Sequence, residues 1–342
     1  MTSIRVNTLS AVVVALTVIG SLTSMPGRAV AHTSVHIRVN QVGYVVGAPK
    51  RAFLMSETDL TGRPFNVLDA AGASVFEADI AESTGAWSSV WRKTHLADFS
   101  AFDQPGTYRI AFDGDTFSPT FRIGSARELY QEPLADAVWF FGAQRDGPDV
   151  DSAKLNRQPS HLADAEAFVY RTPRFRGGQV TRPLRKVGGP VDVSGGWLDA
   201  GDYLKFLSQS SFVEILMLLG LRDHQASFQA PSDLDAEARF GLDWLDKMWE
   251  GDTRTLYIQV GIAHVNDRLL GDHDLWRLPQ RDDRLDVQPG DRKYFVKYRP
   301  VFRAGAPDAP LSPNLAGRVA AAFALCAQVY RVSDPARADA CL

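Results

Sequence analysis

The stretch "DVSGGWLDAGDYLKF", residues 192 to 206, gathers Asp192, Asp199 and Asp202 among Gly195, Gly196, Trp197 and Gly201. Asp199 and Asp202 are three positions apart, and the small Ala200 and Gly201 between them let the chain turn so that both carboxylates face one cavity. Such a pair can hold a water and take its proton. In inverting cleavage of a glycosidic bond this is the base half of the chemistry, and a second acid roughly 6.5 to 9.5 Å away protonates the leaving oxygen. Repulsion between the two carboxylates raises the pKa of one, so a positive or hydrogen-bonding neighbour is needed to keep the base ionised. Other roles suit the same residues: Asp and Gly form ordinary turns, Asp202 could cap the helix that follows, and acidic loops bind calcium.

That loop needs elements to hold it. The spacing of apolar residues predicts helices at 125 to 145, 207 to 221, 234 to 249 and 314 to 331, with Leu129, Leu134, Val138 and Phe141 on one face of the first. Strands look sparse in this part. Two long irregular segments, 146 to 204 and 251 to 311, separate the helices, and segments of that length in a compact domain usually build a site. Asp334-Pro335 opens one more short helix, in an unusual place for a domain to end.

Residues 35 to 124 read differently. Seven short runs with period two, from "SVHIRVNQ" to "TFSPTFRIG", are punctuated by turn chemistry such as Asp103-Gln104-Pro105-Gly106, which predicts an immunoglobulin-like β-sandwich. Trp87 and Trp91 could bind sugar if exposed, but aromatics in a small sandwich are more often buried, and a structural role is the expectation.

The chain has 342 residues, enough for two domains, with 37 Lys and Arg against 40 Asp and Glu. No long basic run favours a phosphate backbone, so nucleic acid is not an expected partner. At the N-terminus Arg5, the apolar run at 9 to 20 and Ala29-Val30-Ala31 have the pattern of an export signal covering residues 1 to 31. The run is shorter than the roughly 20 residues of a membrane span, so the expectation is a secreted, extracellular protein and no membrane partner. In an oxidising compartment Cys326 and Cys341 could pair. Cys326 equally reads as a core residue, on a helical face with Leu315, Val319, Ala322, Phe323 and Tyr330. Two cysteines make no zinc site of the usual four-ligand kind.

"VDVSGGWLDAGDYLKF" resembles the signature of glycoside hydrolase family 9, the inverting cellulase family built on an (α/α)6 barrel. "IRVNQVGYVVGAPKRAFL" (37 to 54) is similar to the opening strands of the immunoglobulin-like domain that precedes the barrel in one subgroup. "FFGAQRDGPDV", "GGPVDVSGGW", "GDHDLWRLPQRDDR" and "LSPNLAGRVAAAFALCAQVY" follow in the family's order. The resemblance implies an all-β sandwich over 33 to 124 and the N-terminal portion of an all-α (α/α)6 barrel over 125 to 342. It implies cleavage of β-1,4-glucosidic bonds in cellulose or related β-glucans, Asp202 as general base, Asp199 as co-holder of the water, and His273, Trp276 and Trp197 as sugar contacts. Relatives that act on xyloglucan or glucosamine oligomers keep those substrates open.

Two departures stand out. Some relatives hold a structural zinc with Cys and His near "FFGAQRDG" and "PSHLADA", whereas here His161 stands without cysteines, and no metal or other cofactor is expected. Calcium at Asp282-Asp283 or at Asp113 to Asp115 is conceivable, though solvated loops are commoner. The family's acid is a glutamate late in the barrel, and this sequence has no glutamate after Glu250. The expectation is therefore a truncated form with little activity, its half-barrel leaving apolar helix faces exposed, and the alternative is a glucan-binding protein that does not cleave.

Overall fold

The computed structural model describes residues 34–199, 202–224 and 233–342. The export signal read from residues 1 to 31 lies outside them, and so do Ala200 and Gly201 of the Asp loop.

Two sheets face each other in the first domain. β1 (Val35–Arg38), β3 (Arg51–Ser56) and β6 (Lys93–Asp98) form an antiparallel sheet in the order β1-β3-β6. The second sheet runs β2 (Tyr44–Val45), β9 (Phe121–Gly124), β7 (Gly106–Phe112), β4 (Pro64–Leu68), β5 (Ser74–Asp79), with β8 (Thr116–Phe117) paired to β7. Alternation along each strand makes the core. In β3, Ala52 and Leu54 point inward and are buried while Arg51 and Phe53 point out. Phe65, Val67, Ile110 and Phe121 close on them from the other sheet. The segment read as one last strand is two, because Pro119 has no N–H for the ladder and separates β8 from β9.

Helix α1 (Ala126–Gln144) starts directly after β9, and Ser125 and Glu128 form a reciprocal capping box at its first turn. Its Leu129 seats against Gly43 of the sandwich, where a Cβ would come within 2.7 Å of Leu129 Cδ2. Helices α2 (Leu207–His224), α3 (Leu234–Met248), α5 (Pro313–Tyr330) and α6 (Pro335–Ala340) pack around a core that includes Val138, Leu218, Leu242 and Tyr330. Both readings of Cys326 hold: it is fully buried and is joined to Cys341 by a disulfide with a Cα–Cα distance of 6.1 Å. Trp139, Phe140, Phe212 and Leu216 leave apolar surface on α1 and α2 about half exposed.

The expectation of few strands here is overturned. The two long segments supply β10 (Ala167–Tyr170), β13 (Lys186–Val191), β16 (Thr255–Val260) and β17 (Val301–Arg303), which join β14 (Lys205–Phe206), just after the first segment, in one sheet in the order β13-β10-β17-β16-β14. A short β15 (Trp249–Glu250) pairs with β16, and β11 (Phe175–Arg176) with β12 (Gln179–Val180) makes a separate hairpin. One-turn α4 (Tyr294–Lys297) lies just before β17. Runs of two to six residues around Gly and Pro carry too little periodicity to separate from loop, and they become strands by pairing with distant partners.

Candidate active site

The sheet places the site. The Asp loop leaves β13 and re-enters at β14, whose Lys205 pairs with Val260 of β16, and the chain leaves β16 at Gly261 into the loop that carries His273. Both loops therefore hang from the β14–β16 pair. Their backbones are then locked. Asp199 N–H donates to Leu204 O at 2.8 Å, Asp202 N–H to Asp199 O at 3.0 Å, and Asp202 Oδ1 accepts from Leu204 N–H at 2.9 Å. Asp202 thus makes a turn within its own loop and does not cap α2, which starts at Leu207. Across the gap, Asp272 and His273 N–H groups donate to Ile262 and Ala263 carbonyls, each at 2.8 Å. Gly271 allows that approach, since a Cβ there would stand 2.2 Å from Ile262 O.

The result is a contact between the two loops: His273 Nε2 lies 2.6 Å from Asp202 Oδ2. Burial pushes the Asp199 carboxyl up, the neighbouring Asp202 raises it further, and His273 opposes both. Trp276, two residues beyond Asp274, is 95% exposed and presents a free indole face.

Other members of the sequence-derived set fall elsewhere. Trp197 does not face this opening. It is 4% exposed, its Nε1 donates to Glu237 Oε1 at 2.7 Å, and its ring meets Phe141 edge-on, so packing between helices replaces the expected sugar contact. Asp192 turns back on Ser194 and pairs with Lys247 at 3.1 Å. The double glycine is steric: a Cβ on Gly196 would stand 2.6 Å from the Trp244 ring, and its φ of 75° suits glycine.

Beneath the loops lies a set of charges that pattern reading missed. Asp146 is fully buried and touches Ser160 Oγ at 2.7 Å, His161 Nδ1 at 2.9 Å, and Lys205 Nζ and Arg299 Nη1 at 3.2 Å each. Lys205 also meets Asp164 at 2.8 Å, and Arg277 bridges Asp272 at 3.0 Å and Asp282 at 2.6 Å. Burial alone raises the Asp146 pKa, but His161, Lys205 and Arg299 outweigh it and hold the carboxyl well below its usual range. The network reaches the surface through Tyr203, next to Asp202, whose hydroxyl donates to Arg277 O under the Arg277 guanidinium. A signal existed in the Lys, Arg and Asp residues that flank apolar positions, but their partners lie too far along the chain to be paired by spacing.

Partners within the chain engage the residues considered for zinc and calcium. His161 gives Nδ1 to Asp146 and Nε2 to Asp282, and the cysteines are tied to each other, so this residue set offers zinc neither a thiolate nor a free imidazole nitrogen. Asp282 is held by Arg277 and His161, Asp283 accepts from Leu162 N–H at 2.8 Å, and Asp113 pairs with Arg63.

Comparison with known proteins agrees with this architecture. Residues 130–342 match the glycosyl hydrolase family 9 model, and residues 32–116 match the cellulase N-terminal ig-like domain. A cellodextrinase of Butyrivibrio fibrisolvens is 28% identical over 228 residues, 62% of this chain and 37% of that protein. Endoglucanase C of Cellulomonas fimi is 29% identical over 245 residues, 63% of this chain and 21% of that protein. The crystal structure of a metagenome-derived glycoside hydrolase family 9 endoglucanase superposes with a TM-score of 0.56 at 23% identity, covering 90% of this chain and 52% of that one. The chain thus spans about half of that structure and less than half of each of these two relatives.

Proposed function

Because this chain belongs to glycosyl hydrolase family 9, we propose that it acts on β-1,4-linked glucans by inverting hydrolysis, with Asp202 as the base. The observation that carries the assignment is the 2.6 Å contact of His273 with Asp202 Oδ2 at the mouth of the Asp loop, beside a fully presented Trp276. One Asp202 oxygen is engaged by Leu204 N–H and the other by His273, which fixes the carboxylate plane toward an incoming water. Asp199 is the second holder of that water. Burial and the neighbouring Asp202 raise its pKa, which favours its protonated form. Trp276 offers the apolar face of a glucosyl ring a platform. The buried ion network under the loops keeps these groups in register and does not touch substrate. The exported, extracellular location read from residues 1 to 31 fits a polymeric substrate.

Among the described residues, none is assigned as the proton donor. The exposed Trp276 also suits a second reading, in which the site binds β-glucan without cutting it. Incubating the chain with cellohexaose and following the products by proton NMR separates the readings. Inverting hydrolysis gives the α-anomer first, and Asp202→Asn lowers its rate by about 10²-fold or more. An initial β-anomer, or turnover indifferent to Asp202→Asn, overturns the mechanism. Saturable quenching of Trp276 fluorescence by cellohexaose without products selects the binding reading.

A further inference from the structure

Trp87 departs from the expectation that the sandwich tryptophans are structural. Trp87 is 72% exposed, and it stands over the outer face of the β1-β3-β6 sheet. The loop that carries it is built rather than slack: Thr84 N–H donates to Thr94 O and Thr94 N–H to Gly85 O, both at 2.8 Å, and Trp87 N–H donates to Trp91 O at 2.9 Å. Trp91 is buttressed by the His36 ring at 4.6 Å. Between this loop and the sheet runs a groove of about 600 Å³ lined by Arg38, Phe53, Met55, Thr84, Trp87 and Thr94. Phe53 stands opposite Arg38 across the β1–β3 pair and is 45% exposed, and Thr94 Oγ1 lies without a hydrogen-bond partner.

We propose that this groove is a second glucan-binding surface, separate from the Asp loop, that takes an uncharged β-linked glucan chain along the outer face of the sandwich. Two aromatic residues on one wall and floor suit the C–H faces of pyranose rings, while the Arg38 guanidinium serves ring hydroxyls. The lining contains no carboxylate and a single cation, so nothing in it selects a charged polymer. A wholly apolar partner would leave the Arg38 guanidinium unpaired. The choice of a glucan rests on the function proposed above.

Adsorption of the full chain to phosphoric-acid-swollen cellulose tests this, with hydrolysis of soluble cellohexaose read alongside. Trp87→Ala is expected to weaken adsorption about tenfold or more, Trp87→Phe to keep most of it, and Asp202→Asn to leave it unchanged. Adsorption that survives Trp87→Ala but is lost with Trp276→Ala overturns the groove and leaves the proposed function standing. Trp87-dependent adsorption without any hydrolysis does the reverse. Three further results also overturn the proposal. One is resistance of Trp87 to N-bromosuccinimide until residues 1 to 31 are removed, which would seat the chain's own leading segment in the groove. Another is a sedimentation mass that halves in Trp87→Ala, which would seat a second copy. The third is full adsorption by that variant.

Discussion

Two buried histidines show how differently the domains are held. In the sandwich, His95 Nδ1 lies 2.9 Å from Ala81 O and its Nε2 accepts from Leu60 N–H at 3.2 Å, so the ring serves as a backbone bracket within an apolar core. In the helical domain, His161 lies between the carboxylates of Asp146 and Asp282 and adopts the left-handed φ of 50°. Burial lowers its pKa, but the two carboxylates win and raise it. Around His161 the interior holds Asp146, Asp164, Asp272, Asp282, Lys205 and Arg299, whereas the charged side chain buried in the sandwich is Lys50, which reaches Asp103 at 2.7 Å. The first domain is a packing problem and the second is an electrostatic one. Apolar burial is non-directional and tolerates drift, while a charge network fixes positions because each buried ion must keep its partners. Loops that must hold a carboxylate and an imidazole 2.6 Å apart sit over the second kind of interior.

The largest expected effect comes from breaking that network. Asp146→Ala removes from Lys205, Arg299 and His161 the buried carboxylate they share and is expected to cost about 3–5 kcal/mol of stability in chemical denaturation. If it costs no more than an exposed-surface substitution, the contrast between the interiors fails. Leu54→Ala in the sandwich, at a fully buried site, is expected to cost about 3 kcal/mol through lost burial and the cavity left behind. The two variants should differ in pH dependence. The Asp146 pKa is depressed, so its contribution is present above its unfolded value and is lost as pH falls. The His161 pKa is raised, so its contribution is present below its unfolded value and is lost as pH rises. Asp146→Ala should flatten both limbs of the stability profile and Leu54→Ala should leave its shape alone.

The smallest effect sharpens the comparison from the opposite sign. Glu214 on α2 is buried beside Gly241 and Trp197 with no hydrogen-bond partner on either oxygen, and burial raises its pKa well above the usual range, with Arg337 opposing and Glu237 adding to the rise. A raised carboxyl pKa means that folding is favoured at low pH and penalised as pH climbs above the unfolded value. Glu214→Gln should therefore stabilise the chain near neutral pH by on the order of 1 kcal/mol and remove part of the alkaline decline. A neutral or destabilising result, measured by the melting temperature at pH 8, would mean that Glu214 is charged and paired.

The alternation in "KRAFLMS" already separates Leu54 from Phe53, and the apolar face of residues 315 to 330 already places Val319, Ala322, Cys326 and Tyr330 inside. Asp199 and Asp202 stand out in the sequence by type and spacing, whereas His273 and Trp276 are singled out only by the family resemblance. The sheet between the helices was not legible, since β14 is two residues long and exists because Lys205 finds Val260. The tryptophans were read the wrong way round. Trp197 lies in the motif and is buried, hydrogen-bonded to Glu237 40 positions away, while Trp87, expected to be structural, stands in solvent.

Sequence by itself determined the local matters: strand and helix periodicity, the capping box at Ser125, the glycines that let the Asp loop turn, and the pair of acids within it. Each depends on neighbours within a few positions, where chain geometry fixes who meets whom. Tertiary structure decided which aromatic rings are exposed, which carboxylates are free, and how His273 reaches Asp202. Burial and charge balance are sums over partners such as Asp146 and Arg299, 153 residues apart, and only the folded chain brings those partners together.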